Sequence, residues 1–257
     1  MNAHRSNHGF TLIELLVVIA IIAILAAILF PIFNSAKQTA IRTQCLSNCR
    51  QIGMGLILYS ENSNDNFPPS YNLKYPMKSA WGKKYQMWMD AVFPYVKNYG
   101  AFACPARPKE PVPVGWSDNG GNGIFTKPIG YSMNGYMQPG ATAIGEVRRV
   151  SSFKNTSRKI VILEMMYGVP DSAFWYLRWY LPVVAQKHGG VSNYIFADGH
   201  AKALKPSQTI VPKLMWNPAD SYPMCLDPDS HETAANEKQA QDWLMNVWKE
   251  HFPNGGY

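Results

Sequence analysis

Apolar residues run almost without interruption from Phe10 to Phe33, 24 positions that carry one charge, Glu14, and no charge falls between Leu15 and Ala36. At ~1.5 Å per residue such a stretch makes a helix of about 36 Å, enough to cross the ~30 Å of bilayer hydrocarbon, so it predicts a spanning helix. A cleaved secretory signal, with Arg5 ahead of it and small residues at Ala23 to Ala27, fits less well. Its apolar core would exceed the usual ~7–15 residues and would hold an acid. Beyond Pro31 the pattern changes but does not stop: Ile41, Cys45, Cys49, Ile52, Leu56 and Tyr59 recur every three or four positions, with Lys37, Gln38, Arg42, Asn48 and Arg50 on other faces. That spacing is one stripe of an amphipathic helix. A single helix over about residues 10–61 is predicted, apolar all round in its first half and striped in its second. Pro31 removes a backbone donor and is expected to kink it.

The remainder, residues 62–257, reads as a globular head. Residues 62–158 are mostly loop, with a short aromatic helix from Gln86 to Lys97 and a Pro/Gly-dense stretch from Cys104 to Gly140. Lys159 to Glu164 reads as a short buried strand. Ser192 to Ala197 and His200 to Leu204 read as a β-hairpin on a two-residue Asp198-Gly199 turn, the strongest short-range hairpin signal. In the tail, Asp229 and Glu232 fit a capping pattern ahead of a closing helix over about residues 230–251, whose apolar face is Ala240, Trp243, Leu244, Val247 and Trp248. The expected class is α+β: a long N-terminal helix packed against a loop-rich head with a small antiparallel sheet.

Composition narrows the classes. With 47% hydrophobic and 13% aromatic residues the chain can fill a core, and with 16% charged residues its +7 balance is too dilute for a disordered nucleic-acid-binding tail. No nucleic-acid partner is expected. The 19 Gly and 19 Pro suit a loop-rich head. Basic residues flank the apolar stretch on both sides, Arg5 before it and Lys37, Arg42 and Arg50 after it, so charge alone leaves its orientation open.

Candidate chemistry is sparse. No HExxH, P-loop or GxGxxG pattern is present, and no Ser/His/Asp motif. His188, Asp198 and His200 offer imidazole and carboxylate ligands that could form a metal trio. The alternative is Asp198 at a turn position tolerant of left-handed backbone, His200 as a strand residue and His188 as a satisfied polar residue under the hairpin, and turn chemistry favours it. Ser117 to Gly123 and Asn62 to Asn66 carry the oxygen ligands of a Ca²⁺ loop but lack its spaced acids and closing Glu, so ordinary turns fit better and no cofactor is expected. Trp175 to Tyr180 could form a ligand platform, yet such aromatic density more often belongs to a core or interface. The four cysteines, Cys45, Cys49, Cys104 and Cys225, are separated by 3, 54 and 120 residues, unlike a zinc site. Three disulfide pairings stay open if the head is exported, with Cys45 and Cys49 each bridging outwards rather than to one another.

The run Gly9-Phe10-Thr11-Leu12-Ile13-Glu14, followed by the apolar residues to Ala27, resembles the prepilin junction of type IV pilins and type II secretion pseudopilins. His188 with nine residues before Asp198-Gly199 is similar to the C-terminal signature of a large subgroup of pseudopilin-like proteins, as are Arg42 to Asn48 with Gln51-Ile52-Gly53, and Phe102 to Pro105. The resemblance implies cleavage of the leader, residues 1–9, between Gly9 and Phe10 by a membrane prepilin peptidase on the cytoplasmic side, and N-methylation of Phe10. It also implies a transmembrane helix over residues 10–33, an amphipathic extension over 34–61 and an extracytoplasmic head, with the chain single-pass in the bacterial inner membrane. The expected function is a non-enzymatic subunit of a type IV pilus or type II secretion pseudopilus. Its partners would be the peptidase/methyltransferase, other pilin subunits, the inner-membrane assembly platform and the lipid bilayer. In such an assembly Glu14 is expected to pair with the Phe10 ammonium of a neighbouring subunit. The alternative is a membrane-anchored extracytoplasmic binding protein or hydrolase that borrows the leader.

Overall fold

A computed structural model describes residues 11–69, 71–72, 86–106, 129–134, 149–164, 171–172, 188–217, 224–227 and 232–251. Gly9, Phe10, Ser117 to Gly123, Trp175 to Tyr180 and Asp229 lie outside the described residues. By compactness the chain divides into two units, Met1–Ile41 and Arg42–Tyr257.

In the first unit the described residues are almost wholly helical. Helix α1 (Leu12–Asn62, 51 residues) begins there and continues past Pro31. Its large apolar side chains from Leu12 to Phe33 are 46–76% exposed. It is long and apolar enough to cross a membrane.

The second unit is α+β. A five-stranded sheet has the order β5-β3-β4-β6-β7, built from β3 (Tyr131–Asn134), β4 (Ile160–Glu164), β5 (Asp171–Ser172), β6 (Ser192–Phe196) and β7 (Ala201–Leu204). Pairing is antiparallel from β3 to β7, and only the two-residue β5 joins in parallel. Two small ribbons accompany it: β1 (Tyr71–Asn72) with β2 (Gln86–Met87), and β8 (Met224–Asp227) with β9 (Glu232–Ala234). Helix α2 (Trp88–Val96) follows β2, and α3 (Glu237–His251) is the last of the described elements.

The central strands are buried throughout, covered on both faces, and their polar members Glu164, Ser192 and Asn193 are buried with the rest. On one face Ile160, Leu163, Tyr194, Phe196 and Leu204 pack with Trp216, Ala240 and Leu244, so α3 seals that side. On the other, Cys45, Cys49, Ile52 and Leu56 of α1 are fully buried. The stripe read from the sequence is the buried one, but it is wider than its apolar letters. Asn48, assigned above to another face, is buried because its Nδ2 donates to the Ala103 carbonyl at 3.1 Å. Gly53 and Gly55 are buried because there is no room for a side chain: a Cβ on Gly53 would lie 2.0 Å from the Gly199 carbonyl oxygen, and one on Gly55 would lie 2.6 Å from Val96 Cγ2.

Two local expectations are corrected. The β6–β7 connection is a three-residue loop, Ala197-Asp198-Gly199, and not a two-residue turn. Gly199 N donates to the Phe196 carbonyl at 2.8 Å, Phe196 N donates to the His200 carbonyl at 2.9 Å, and Gly199 alone has a left-handed φ, +85°. That is a type I turn closed by a glycine bulge, so glycine takes the strained position and Asp198 does not. The closing helix starts at Glu237 and not near residue 230, because Glu232 is used in β9. Its cap is Asn236, whose Oδ1 accepts Gln239 N at 3.0 Å, while Gln239 Oε1 accepts Ala235 N at 2.7 Å.

Candidate functional site: a capped apolar helix and a buried polar cluster

At the start of α1, Thr11 and Glu14 form a reciprocal pair. Thr11 N and Thr11 Oγ1 donate to Glu14 Oε2 at 2.9 and 2.7 Å, and Glu14 N donates to Thr11 Oγ1 at 3.3 Å. This is a capping box, T-x-x-E, which satisfies donors that a helix N-terminus otherwise leaves bare. The signal is present in the sequence but is masked there, because Glu14 stands out first as the one charge in an apolar run. The acid therefore has a local partner within the chain, and it lies where the helix dipole favours an anion.

In the head, distant segments converge on one cluster. Cys45 on α1, Cys104 just after a short 3-10 turn (Tyr99–Phe102), Glu164 at the end of β4 and His188 just before β6 present ligand atoms within 4.8 Å of one another, all buried. Cys45 Sγ and Cys104 Sγ are 2.7 Å apart. His188 Nε2 lies 3.4 Å from Cys104 Sγ and 3.0 Å from Glu164 Oε1. Glu164 Oε2 accepts from Asn193 N at 3.0 Å and from Asn193 Nδ2 at 2.9 Å. Tyr131 Oη donates to the Cys45 carbonyl at 3.3 Å.

The electrostatics follow from these contacts. Burial alone would push the His188 pKa down, but hydrogen bonding to Cys104 and Glu164 and the Glu164 charge outweigh it and raise it to about 10. His188 and Glu164 thus form a buried ion pair. The Cys49 thiol, one turn along α1, is pushed well up by burial and by the Glu164 charge, and Cys104 is pushed up by its contact with Cys45 and by burial.

The trio His188, Asp198 and His200 does not form. His188 turns into the buried cluster, whereas Asp198 Oδ1 accepts His200 N at 3.1 Å and pairs with His200 Nδ1 at the surface, where the His200 ring stacks on Phe196 at 4.3 Å. Among the described residues the group with metal-ligand character is the buried one. No spacing in the sequence puts Cys45 or Cys104 beside His188, and Glu164 belongs to no motif. The one hint was an acid closing the apolar run Ile160 to Leu163, at a position that demands a partner once the strand is buried. In the Asn62 to Asn66 turn, the Asp65 carboxylate is taken up by Ser151 N at 3.1 Å and by Ser151 Oγ, which lower its pKa.

Comparison with known proteins bears on α1. Residues 4–30 match the family model for the prokaryotic N-terminal methylation motif. A 36-residue stretch is 64% identical to the "Type IV wide pilus major component PilA4" of Thermus thermophilus, covering 14% of this chain and 28% of that protein. No solved structure matches. The matched motif overlaps the apolar half of α1, and over that N-terminal segment the chain is similar to type IV pilins.

Proposed function

We propose that the chain is a structural, non-enzymatic subunit of a type IV pilus-like filament, made as a prepilin, cut between Gly9 and Phe10, methylated on Phe10 and held single-pass in the bacterial inner membrane with its head outside. The observation that carries this reading is the exposed apolar half of α1, whose single acid sits in its first turn. Each large apolar side chain left in water forgoes about 1.5–3 kcal/mol, so sixteen of them between Leu12 and Phe33 require lipid or other helices as solvent. Moving such a helix from lipid into a bundle gains little hydrophobic free energy, because lipid tails are as apolar as Leu. Polar contacts then decide whether assembly is favoured. Thr11 satisfies the hydrogen bonding of Glu14 but not its charge, and a carboxylate in hydrocarbon costs ~2.5–3.5 kcal/mol on insertion scales. The Phe10 ammonium of an adjacent subunit supplies that counter-charge. On this reading its partners are a prepilin peptidase/methyltransferase, sister subunits and a membrane assembly platform, and the likeness to a pilus component supports the sister subunits.

Intact-mass and N-terminal sequencing of the protein from its native membranes tests this reading. The expected mature chain begins at Phe10 with one added methyl. A start near Ala26 or Ala27, as a signal peptidase would leave, or an uncut chain overturns it.

A further inference from the structure

We propose that Cys45 and Cys104 are joined by a disulfide that staples α1 to the segment after the Tyr99–Phe102 turn, with Cys49 left as a thiol. The proposal rests on the reading that the head is exported, since disulfides persist in oxidising compartments. The two sulfurs are 2.7 Å apart, a short closure from a bond of ~2.05 Å. Both cysteines are held by contacts independent of sulfur. Tyr131 Oη bonds the Cys45 carbonyl at 3.3 Å, and Asn48, one turn along, bonds the Ala103 carbonyl beside Cys104 at 3.1 Å. The Gly130 backbone presses on Cys104 so closely that a Cβ there would lie 2.4 Å from Cys104 N. The native fold therefore delivers the pair to each other without needing the bond to hold them.

The same four side chains suit a metal ion less well. In a tetrahedral zinc site with Zn–S bonds of ~2.3 Å the two sulfurs stand roughly 3.7 Å apart, so Cys45 and Cys104 would have to separate. Glu164 is already committed through both oxygens, to His188 and to Asn193. His188 Nδ1 has no partner among the described residues, whereas a metal-bound imidazole normally donates its second ring N–H to one.

Formation needs an oxidant of the disulfide class, such as an extracytoplasmic thiol oxidoreductase. One cysteine thiolate attacks the donor disulfide and releases one donor thiolate. The second cysteine thiolate then displaces the other donor sulfur from the mixed disulfide. Two S–H bonds of the chain are lost and two are gained by the donor, so the chain is oxidised by two electrons and the donor reduced by two. Because Cys45 is fully buried and Cys104 nearly so, exchange takes place before the core closes, and the finished bond is sheltered from reductant.

The test is peptide mapping of protein purified from native membranes without reductant and alkylated after denaturation. The expected result is a linked peptide pair containing Cys45 and Cys104, about 2 Da lighter than the two thiols, with Cys49 alkylated. Reductant should open the bond only with denaturant present. Cys45→Ser, Cys104→Ser and the double variant should each lower the head melting temperature by the same amount, roughly 10 °C. A chain correctly processed at Phe10 whose Cys45 and Cys104 are both alkylated overturns the disulfide and leaves the filament reading standing. So does one equivalent of zinc bound to a fully reduced protein, which would assign the cluster to a metal. An uncut chain with free thiols counts against both.

Discussion

The large apolar residues of α1 between Leu12 and Phe33 are 46–76% exposed, whereas Cys45, Cys49, Ile52 and Leu56 on the same helix are fully buried. Both stretches carry apolar side chains, but the later one interleaves them with Ser47, Asn48, Arg50 and Gln51. The later stretch gathers Cys45, Cys49, Ile52 and Leu56 into one stripe and leaves Met54 exposed; such a stripe is a face that one sheet can cover, and the chain supplies that sheet. The earlier stretch is apolar on every face, and no single neighbour covers all of a cylinder. Its solvent must come from outside the chain. The two stretches also treat polar groups differently. Glu14 is satisfied within its own helical turn by Thr11, while Asn48 reaches 55 residues along the chain to the Ala103 carbonyl. Polar groups in the first stretch are capped locally, and those in the second are what specify the tertiary fit.

The largest expected effect on this contrast comes from a single methyl group. Gly53→Ala would place a Cβ 2.0 Å from the Gly199 backbone oxygen, which no side-chain rotation relieves. We expect a loss of about 3 kcal/mol and a melting temperature lowered by roughly 10 °C, measured on the head by calorimetry. Ile19→Ala, in the exposed stretch, should leave head melting within about 1 °C, as a substitution far from the packed core does. Equal effects at the two positions would mean that the helix and hairpin do not approach as closely as described.

A smaller effect follows from pH. With Cys104 as a thiol, in the reduced protein, the folded pKa of His188 is raised to about 10 against ~6.5 in the unfolded chain. Its contribution is therefore complete below about pH 6.5 and is lost as pH rises through about 10. Head stability should fall by on the order of 2 kcal/mol across that window, and in His188→Gln that part of the decline should vanish. A wild-type profile identical to that of the variant would break the buried ion pair.

What could be read in the sequence was whatever a local period or a turn residue records. The stripe from Cys45 to Leu56 and the hairpin around Asp198-Gly199 are of that kind. Asn48 and Gly53 escaped because each owes its burial to one atom of a distant segment, the Ala103 carbonyl and the Gly199 carbonyl. β3 was missed because four residues in a Pro/Gly-dense region carry no period of their own. The start of α3 was misplaced because Asp229 and Glu232 imitate a capping pattern, while the real cap, Asn236, has Gln239 three residues on. The cluster of Cys45, Cys104, Glu164 and His188 was out of reach for the same reason as Asn48. Its members come from four segments, and only the sheet and the packed helix bring them together.

The central claim is that the exposed stretch of α1 is an assembly surface on which the charge of Glu14, and not its cap, is used between subunits. Glu14→Gln separates the two, because glutamine also completes a capping box but carries no charge. The most direct measurement compares the amount of this chain in filaments sheared from cells expressing wild type or Glu14→Gln, with N-terminal processing and head melting as controls. We expect wild-type chain in the filament fraction, and at least tenfold less of the variant, which should be processed at Phe10, remain in the membrane and keep its head stability. Filaments containing Glu14→Gln at the wild-type level would contradict the ionic pairing, and a wild-type chain found only as membrane-bound monomer would contradict the assembly role itself.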